Sequence, residues 1–193
     1  MRIAGLVLAG GSGQRMGAEK ALITLGGQTL LSHVVARLAP QVKVLALSAN
    51  GDPARFDDLG LPVLADPESE LGAGPMVGVR AGLRWADAEG AQALVTVAVD
   101  TPFLPTNLAV RLLATGGAAY AKNAGRAHYT AALWLTADLA RFDRLFETGE
   151  RRMRPYLEGA HVVDFPGTPD PFTNINTQAD LARAEAALGG GAV

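Results

Sequence analysis

Residues Ile3 to Leu8 form an apolar run with no polar face. A strand that is apolar on both sides has to be covered on both sides, which is the situation of a parallel strand between two helical layers. The run opens directly into Ala9-Gly10-Gly11-Ser12-Gly13-Gln14-Arg15-Met16-Gly17-Ala18-Glu19-Lys20. Gly10, Gly11 and Gly13 have no Cβ to hold a ligand away, so successive N–H groups there can turn inward around an anion. Arg15 and Lys20 add fixed positive charge beside them. An ordinary strand-to-helix turn with solvated cations is the plainer explanation, but these glycines are more than such a turn needs.

Two familiar glycine loops are excluded by spacing. A Walker A loop ends in Gly-Lys-Ser or Gly-Lys-Thr, whereas Gly17 is followed by Ala18, Glu19 and Lys20. A dinucleotide fingerprint needs a third glycine where this chain has Met16. A phosphate-cradling loop of another kind remains.

The rest of the chain repeats the strand-then-helix pattern. Thr29 caps a helix with Leu30, Leu31, Val34, Val35 and Leu38 on one stripe, and Pro40 stops it. Val42 to Leu47 and Leu61 to Leu64 read as strands, and Pro75 starts a helix that buries Met76, Val79 and Leu83. Leu94 to Val99 is the most hydrophobic strand and belongs near the sheet centre. Ala118 to Ala121 and Thr130 to Leu135 read as antiparallel strands around a polar turn, Lys122 to Tyr129. A helix follows from about Ala137 to Glu147, then a strand from Val162 to Phe165, and a last helix capped by Thr177. The alternation predicts a three-layer, mostly parallel, doubly wound α/β sheet of Rossmann-like kind with a small antiparallel portion. The 193 residues fit one domain over 1–193, with a frayed tail from about Gly189.

Composition narrows the function classes. A formal net charge of -2 gives no general pull toward nucleic acid or anionic membrane. With no cysteine, thiolate metal sites and cysteine nucleophiles are excluded. No signal peptide or membrane-spanning run is evident, so a cytoplasmic protein is expected.

In an open parallel sheet, ligands lie over the carboxyl ends of the strands. Asn50, Asp66 and Asp100 each follow a strand. An unpaired carboxylate after an apolar central strand is costly, and beside a phosphate-type loop Asp100 is best read as a ligand for a hard cation such as Mg²⁺. Asn50 and Asp66 either cap local backbone or hydrogen-bond a base and ribose. Gly74 and Pro75 lie in a second glycine loop. Asn174 and Asn176 alternate onto one side of an extended segment. Arg151, Arg152 and Arg154 form a basic cluster, either a solvated face or an anion site. His33 is placed outward on its helix, and only His128, in the predicted turn, approaches a ligand.

Leu8-Ala9-Gly10-Gly11-x-x-x-Arg15-Met16-Gly17-x-x-Lys20 resembles the triphosphate loop of the sugar-phosphate nucleotidyltransferase superfamily. Gly74-Pro75-x-x-Gly78, Asp100-Thr101-Pro102, Gly149-Glu150-Arg151-Arg152 and Phe172-x-Asn174-x-Asn176-Thr177 narrow the resemblance to molybdenum cofactor guanylyltransferases of the MobA type. That resemblance implies transfer of GMP from GTP to molybdopterin with release of pyrophosphate. It implies Leu8, Ala9 and Gly10 at guanine and ribose, and Gly11, Ser12 and Gly13 near the phosphates. Asn50, Asp66 and Gly74 are implied as further GTP contacts, and Arg15, Lys20 and Asp100 as the catalytic groups, with Asp100 holding Mg²⁺. Arg151, Arg152, Asn174 and Asn176 fall toward molybdopterin. The implied partners are GTP, molybdopterin and the proteins that insert molybdenum or mature molybdoenzymes. Where the family more often shows His-Pro-Thr, this chain has His128-Tyr129-Thr130. Relatives that use CTP tend to carry Leu-Ala-Ala-Gly, so Gly10 favours a purine. Two other readings stay open. One is a different nucleotidyltransferase, using CTP with molybdopterin or activating a sugar, cobinamide or methylerythritol phosphate. The other is a non-catalytic adaptor that binds GTP or molybdopterin.

Overall fold

The computed structural model describes residues 1–10 and 19–189. Gly11, Ser12, Gly13 and Arg15 therefore lie outside the described residues. In chain order the strands are β1 (Ile3–Leu8), β2 (Thr24–Leu25), β3 (Gln28–Thr29), β4 (Val44–Ser48), β5 (Val63–Leu64), β6 (Ala93–Ala98), β7 (Ala119–Asn123), β8 (Arg126–Leu135) and β9 (His161–Asp164). The helices are α1 (Leu30–Leu38), α2 (Pro75–Ala88), α3 (Leu108–Leu113), α4 (Leu139–Glu147), α5 (Met153–Tyr156) and α6 (Gln178–Gly189).

Seven strands form one sheet in the order β5-β4-β1-β6-β8-β7-β9, and β2 and β3 pair as a separate hairpin. β5, β4, β1 and β6 run parallel, while β8 is antiparallel to both β6 and β7. The expected sheet is thus present, with β6 at its centre and the antiparallel portion to one side. β1 shows why its sequence has no polar face. Ile3 and Val7 pack in one core with Leu31, Val34 and Leu108, while Ala4 and Leu6 pack in the other with Met76, Val79 and Leu83. A third, smaller core joins Leu25 and Leu30 to Ile175 and Ala184, which seats α6 on the β2–β3 hairpin.

α2 lies close to the sheet because of Gly78 and Gly82. A Cβ at Gly82 would stand 2.5 Å from Leu6 Cδ2 and 3.1 Å from Leu94 Cδ2, and both leucines are wholly buried. Alanine for glycine normally favours a helix by up to about 1 kcal/mol, but overpacking a core costs about 1–3 kcal/mol. Gly82→Ala is therefore expected to destabilise the protein by about 1 kcal/mol or more, lowering the urea midpoint. A raised midpoint would show that the layer has slack.

The antiparallel portion departs from the expected turn. The reversal between β7 and β8 needs only Ala124 and Gly125, both at positive φ, so Arg126 to Tyr129 are strand, and His128 pairs with Ala121. Between His128 and Ala132, β8 carries three residues with no counterpart on β7, since Tyr120 pairs with Ala132 and Ala121 with His128. Such bulges re-aim side chains. This one is pinned from the central strand: Thr96 Oγ1 donates to Thr130 O at 2.9 Å and accepts from Trp134 Nε1 at 2.9 Å. Pairing of β6 with β8 stops at Thr96, so the sheet opens beside Ala98.

Candidate active site

Three strands end level. Leu8 on β1 is in register with Ser48 on β4 and with Ala98 on β6, and Ser48 is in register with Leu64 on β5. Ala9 N donates to Ser48 O at 2.8 Å and Val99 N to Leu8 O at 3.1 Å, carrying the alignment one residue further. Gly10, Asn50 and Asp100 consequently leave the sheet along one edge, and Asp66 follows β5 beside them.

Asn50 and Asp66 hold each other. Asn50 Nδ2 donates to Asp66 Oδ2 at 2.8 Å, and Asp66 N donates to Asn50 Oδ1 at 2.7 Å. Both amide atoms of Asn50 are thereby spent on orienting Asp66, whose Oδ1 is buried without a hydrogen-bond partner among the described residues. Arg55 fastens the same corner, donating to Asn50 O and pairing with Glu19.

Lys20 reaches the edge from a short 3-10 turn, Lys20–Leu22, anchored by buried Ala21. Its Nζ stands 2.8 Å from Asp100 Oδ2 and also donates to Asn176 Oδ1. The Asp100 side chain is 13% exposed, and its Oδ1 has no partner among the described residues. Ile175 N donates to Asp100 O at 2.9 Å, so Ile175 is buried while the next side chain, Asn176, is delivered to Lys20. Thr177 and Asp180 cap α6 reciprocally, through Asp180 N to Thr177 Oγ1 at 3.1 Å and Thr177 N to Asp180 Oδ2 at 2.8 Å. The Thr177 hydroxyl, with the backbone N–H groups of Asn176 and Thr177, holds the Asp180 carboxyl below its ordinary range.

Over the edge lies a cleft of about 330 Å³ lined by Leu8, Gly10, Ser48, Asp66, Gly74 and Thr130, among others. Gly74 takes φ +93°, which favours glycine, and it places the first turn of α2 against this space. The positive end of a 14-residue helix favours an anion there. Ser48 and Thr130 were not singled out from sequence. Ser48 carried the available signal, a hydroxyl at a strand end, whereas Thr130 arrives through the bulge.

A second cleft of about 440 Å³ adjoins the first, sharing Pro75 and Thr130 with it. It is lined by Arg126, Arg151, Arg152, Arg154, His128 and Asn174, among others. The arginines are not equivalent. Arg151 stacks 3.5 Å above the centre of the Phe146 ring and donates to Phe146 O at 2.7 Å. Arg152 is paired with Glu150 at 2.6 Å, and that guanidinium, with the Arg152 and Arg151 backbone N–H groups, draws Glu150 down to about 2.

His33 is half-buried rather than outward, its Nε2 lying 2.8 Å from Leu25 O in the hairpin. His128 is buried against Phe172, with ring centres 4.7 Å apart. Burial is the chief cause that lowers its pKa below 6.5; nearby Asp170 opposes it, and Arg126 adds to it. The unfolded chain takes up this proton near 6.5 while the folded chain resists it, so stability is full above that pH and is lost as pH falls through it. The loss of urea resistance between pH 7.5 and pH 5.5 is expected to be smaller in His128→Gln than in the parent. An equal loss in both would assign the acid sensitivity elsewhere.

Among the described residues no three His, Asp or Glu side chains cluster as a metal cage, and no helix is long and apolar enough to cross a membrane. Residues 5–164 match the family described as the MobA-like NTP transferase domain. A molybdenum cofactor guanylyltransferase of Rhodobacter capsulatus is 58% identical over 185 residues, 96% of each chain. The chain belongs to the MobA-like NTP transferase family. A second molybdenum cofactor guanylyltransferase, from Cereibacter sphaeroides, is 50% identical over 97% of this chain and 98% of its own. Among solved structures, molybdopterin-guanine dinucleotide biosynthesis protein A from Archaeoglobus fulgidus superposes with a TM-score of 0.74 at 25% identity, covering 97% of this chain and 99% of its own. Family membership makes the chain a nucleotidyltransferase.

Proposed function

We propose that the chain, acting as one nucleotidyltransferase domain, joins GMP from GTP to the terminal phosphate of molybdopterin and releases pyrophosphate. The observation that carries this reading is one strand-end edge: Gly10 and Asp66 line a cleft beside the N-terminus of α2, the Lys20–Asp100 pair follows the adjoining strand β6, and a separate arginine-lined cleft adjoins the first. Two anionic substrates can lie there end to end.

Asp66 supports guanine over cytosine. Its free Oδ1 is held rigidly by Asn50, and a carboxylate there accepts from the N1–H and N2–H groups that guanine alone presents side by side. The resemblance assigns the base and ribose to Leu8, Ala9 and Gly10, and the phosphates to Gly11, Ser12, Gly13 and Arg15, which lie outside the described residues.

Asp100 fits one hard cation. It is a mostly buried carboxylate with an unpartnered oxygen, and Mg²⁺ on nucleotides uses one or two carboxylates plus phosphate oxygens. When bound, Mg²⁺ supplies charge neutralisation and orientation to the triphosphate. Lys20, held by Asp100 and Asn176 before substrate arrives, has three donors to offer the phosphates once the nucleotide competes for it. An acceptor phosphate oxygen forms the new bond to the α-phosphorus of GTP, the bond from that phosphorus to the β-bridging oxygen breaks, and the electron pair leaves with pyrophosphate. Alignment and charge stabilisation suffice, with no covalent enzyme intermediate. Arg151, Arg152, Asn174 and Asn176 border the acceptor side. A reaction that consumes GTP fits a cytoplasmic enzyme, and the partners that fit it are proteins that load molybdenum into molybdopterin or fit the finished cofactor into its enzymes.

The test is pyrophosphate release from GTP, CTP or ATP with Mg²⁺, with and without molybdopterin. Release is expected from GTP and only with the acceptor. Preference for CTP would replace the nucleotide, and GTP binding without release would make the chain an adaptor.

A further inference from the structure

The arginine-lined cleft continues into a groove that the reaction as described does not use. This groove, of about 380 Å³, is lined by Tyr120, Tyr129, Arg154, Pro155 and Leu157, among others, and shares Tyr129 and Arg154 with the cleft before it. Tyr129 and Tyr120 form its aromatic wall, with ring centres 4.9 Å apart and planes inclined at 50°. Both are half-buried, and neither hydroxyl makes a hydrogen bond to another described residue. Tyr129 packs partly against the core and is set at this place by the three-residue bulge of β8 that Thr96 pins from the central strand. The three spaces follow one another: the cleft with Gly10 and Asp66, the arginine cleft, then the tyrosine groove.

We propose that the tyrosine groove binds the planar ring end of the acceptor, a pterin-type heterocycle stacked on Tyr129. The proposal rests on the function proposed above, since an acceptor with a phosphate at one end and a fused heteroaromatic ring at the other spans the last two spaces in that order. The volume suits a small ring system, and a flat polarised heterocycle gains from an aromatic face and a guanidinium beside it.

The probe is a soluble 6-substituted pterin without phosphate, followed by quenching of its own fluorescence on titration with the protein. Quenching is expected with the parent chain and to persist at saturating GTP. Tyr129→Ala is expected to weaken binding about tenfold or more, as loss of one base–aromatic stack does, while Tyr129→Phe binds like the parent and both variants keep GTP affinity and near-ultraviolet circular dichroism. In turnover, Tyr129→Ala should raise KM for molybdopterin by a similar factor with kcat and KM for GTP held. Absence of quenching by the parent, displacement of the pterin by GTP, equal binding by Tyr129→Ala, or equal loss in Tyr129→Phe would each overturn the groove assignment. A parent that releases pyrophosphate alongside any of these leaves the transfer reaction standing, whereas a parent that releases none removes the reaction itself.

Discussion

Asp100→Ala is expected to lower pyrophosphate release by on the order of 10³-fold or more, with the fold intact. The substitution removes the carboxylate that would hold Mg²⁺ and also a partner of Lys20. Stability should change little. Asp100 Oδ1 is buried without a partner among the described residues, so the native site already bears a desolvation cost that alanine relieves, and Lys20 keeps Asn176. The check is turnover beside a thermal melt. A variant that melts with the parent and turns over normally would remove Asp100 from the chemistry, and one that fails to fold is replaced in the test by Asp100→Asn, which keeps the shape.

Lys20→Ala should cost on the order of 10²–10³-fold in turnover, because a fixed cation at the triphosphate holds it in the ground state and holds its developing charge more strongly in the transition state. Its signature differs from that of Asp100→Ala. Removing Lys20 leaves Asp100 without its 2.8 Å partner, so raised Mg²⁺ should recover part of the loss in Lys20→Ala by stabilising that carboxylate and the triphosphate together. No such recovery is expected for Asp100→Ala. Recovery in the reverse pattern would exchange the two roles.

How much of this was legible in the chain depended on the range over which each feature is decided. β1, α1 and the first turn of α2 are local: an uninterrupted apolar run, a threonine whose side chain accepts from Ser32 N at 3.0 Å, and a proline where a helix begins. Strand ends were legible for the same reason, so Asn50, Asp66 and Asp100 could be picked out before the Asn50–Asp66 and Asp100–Lys20 pairs were visible. In the segment read as alternating, Ile175 is buried, Asn176 bonds Lys20 and Asn174 lines the arginine cleft.

Features decided at a distance were misread. Residues 122–129 look like a polar turn, but Ala124 and Gly125 complete the reversal alone, and the β8 bulge depends on Thr96, 34 residues earlier. Burial of His128 follows from Phe172, which sequence places far from it. Gly26 and Gly27 turn the β2–β3 hairpin, and only its packing against Ile175 and Ala184, far along the chain, seats α6 and returns Asn176 to the site. Arg151 and Arg152 looked alike in sequence. Phe146 and Glu150 make one a stacked, carbonyl-bound group and the other an exposed partner of a carboxylate. That difference lies in an aromatic ring on α4 and cannot be read from charge spacing.

Calorimetric titration of GTP, with Mg²⁺ present, into the parent chain, Lys20→Ala, Asp100→Ala and Arg111→Ala tests whether the level strand ends serve one nucleotide. Arg111 stacks on Phe165 and donates to Asp164 O, apart from the cleft residues, and serves as the control. Affinity should fall about tenfold or more in the first two variants, the scale of one charge-assisted contact, and stay at the parent value in Arg111→Ala. Parent-like GTP affinity in both Lys20→Ala and Asp100→Ala would contradict the account.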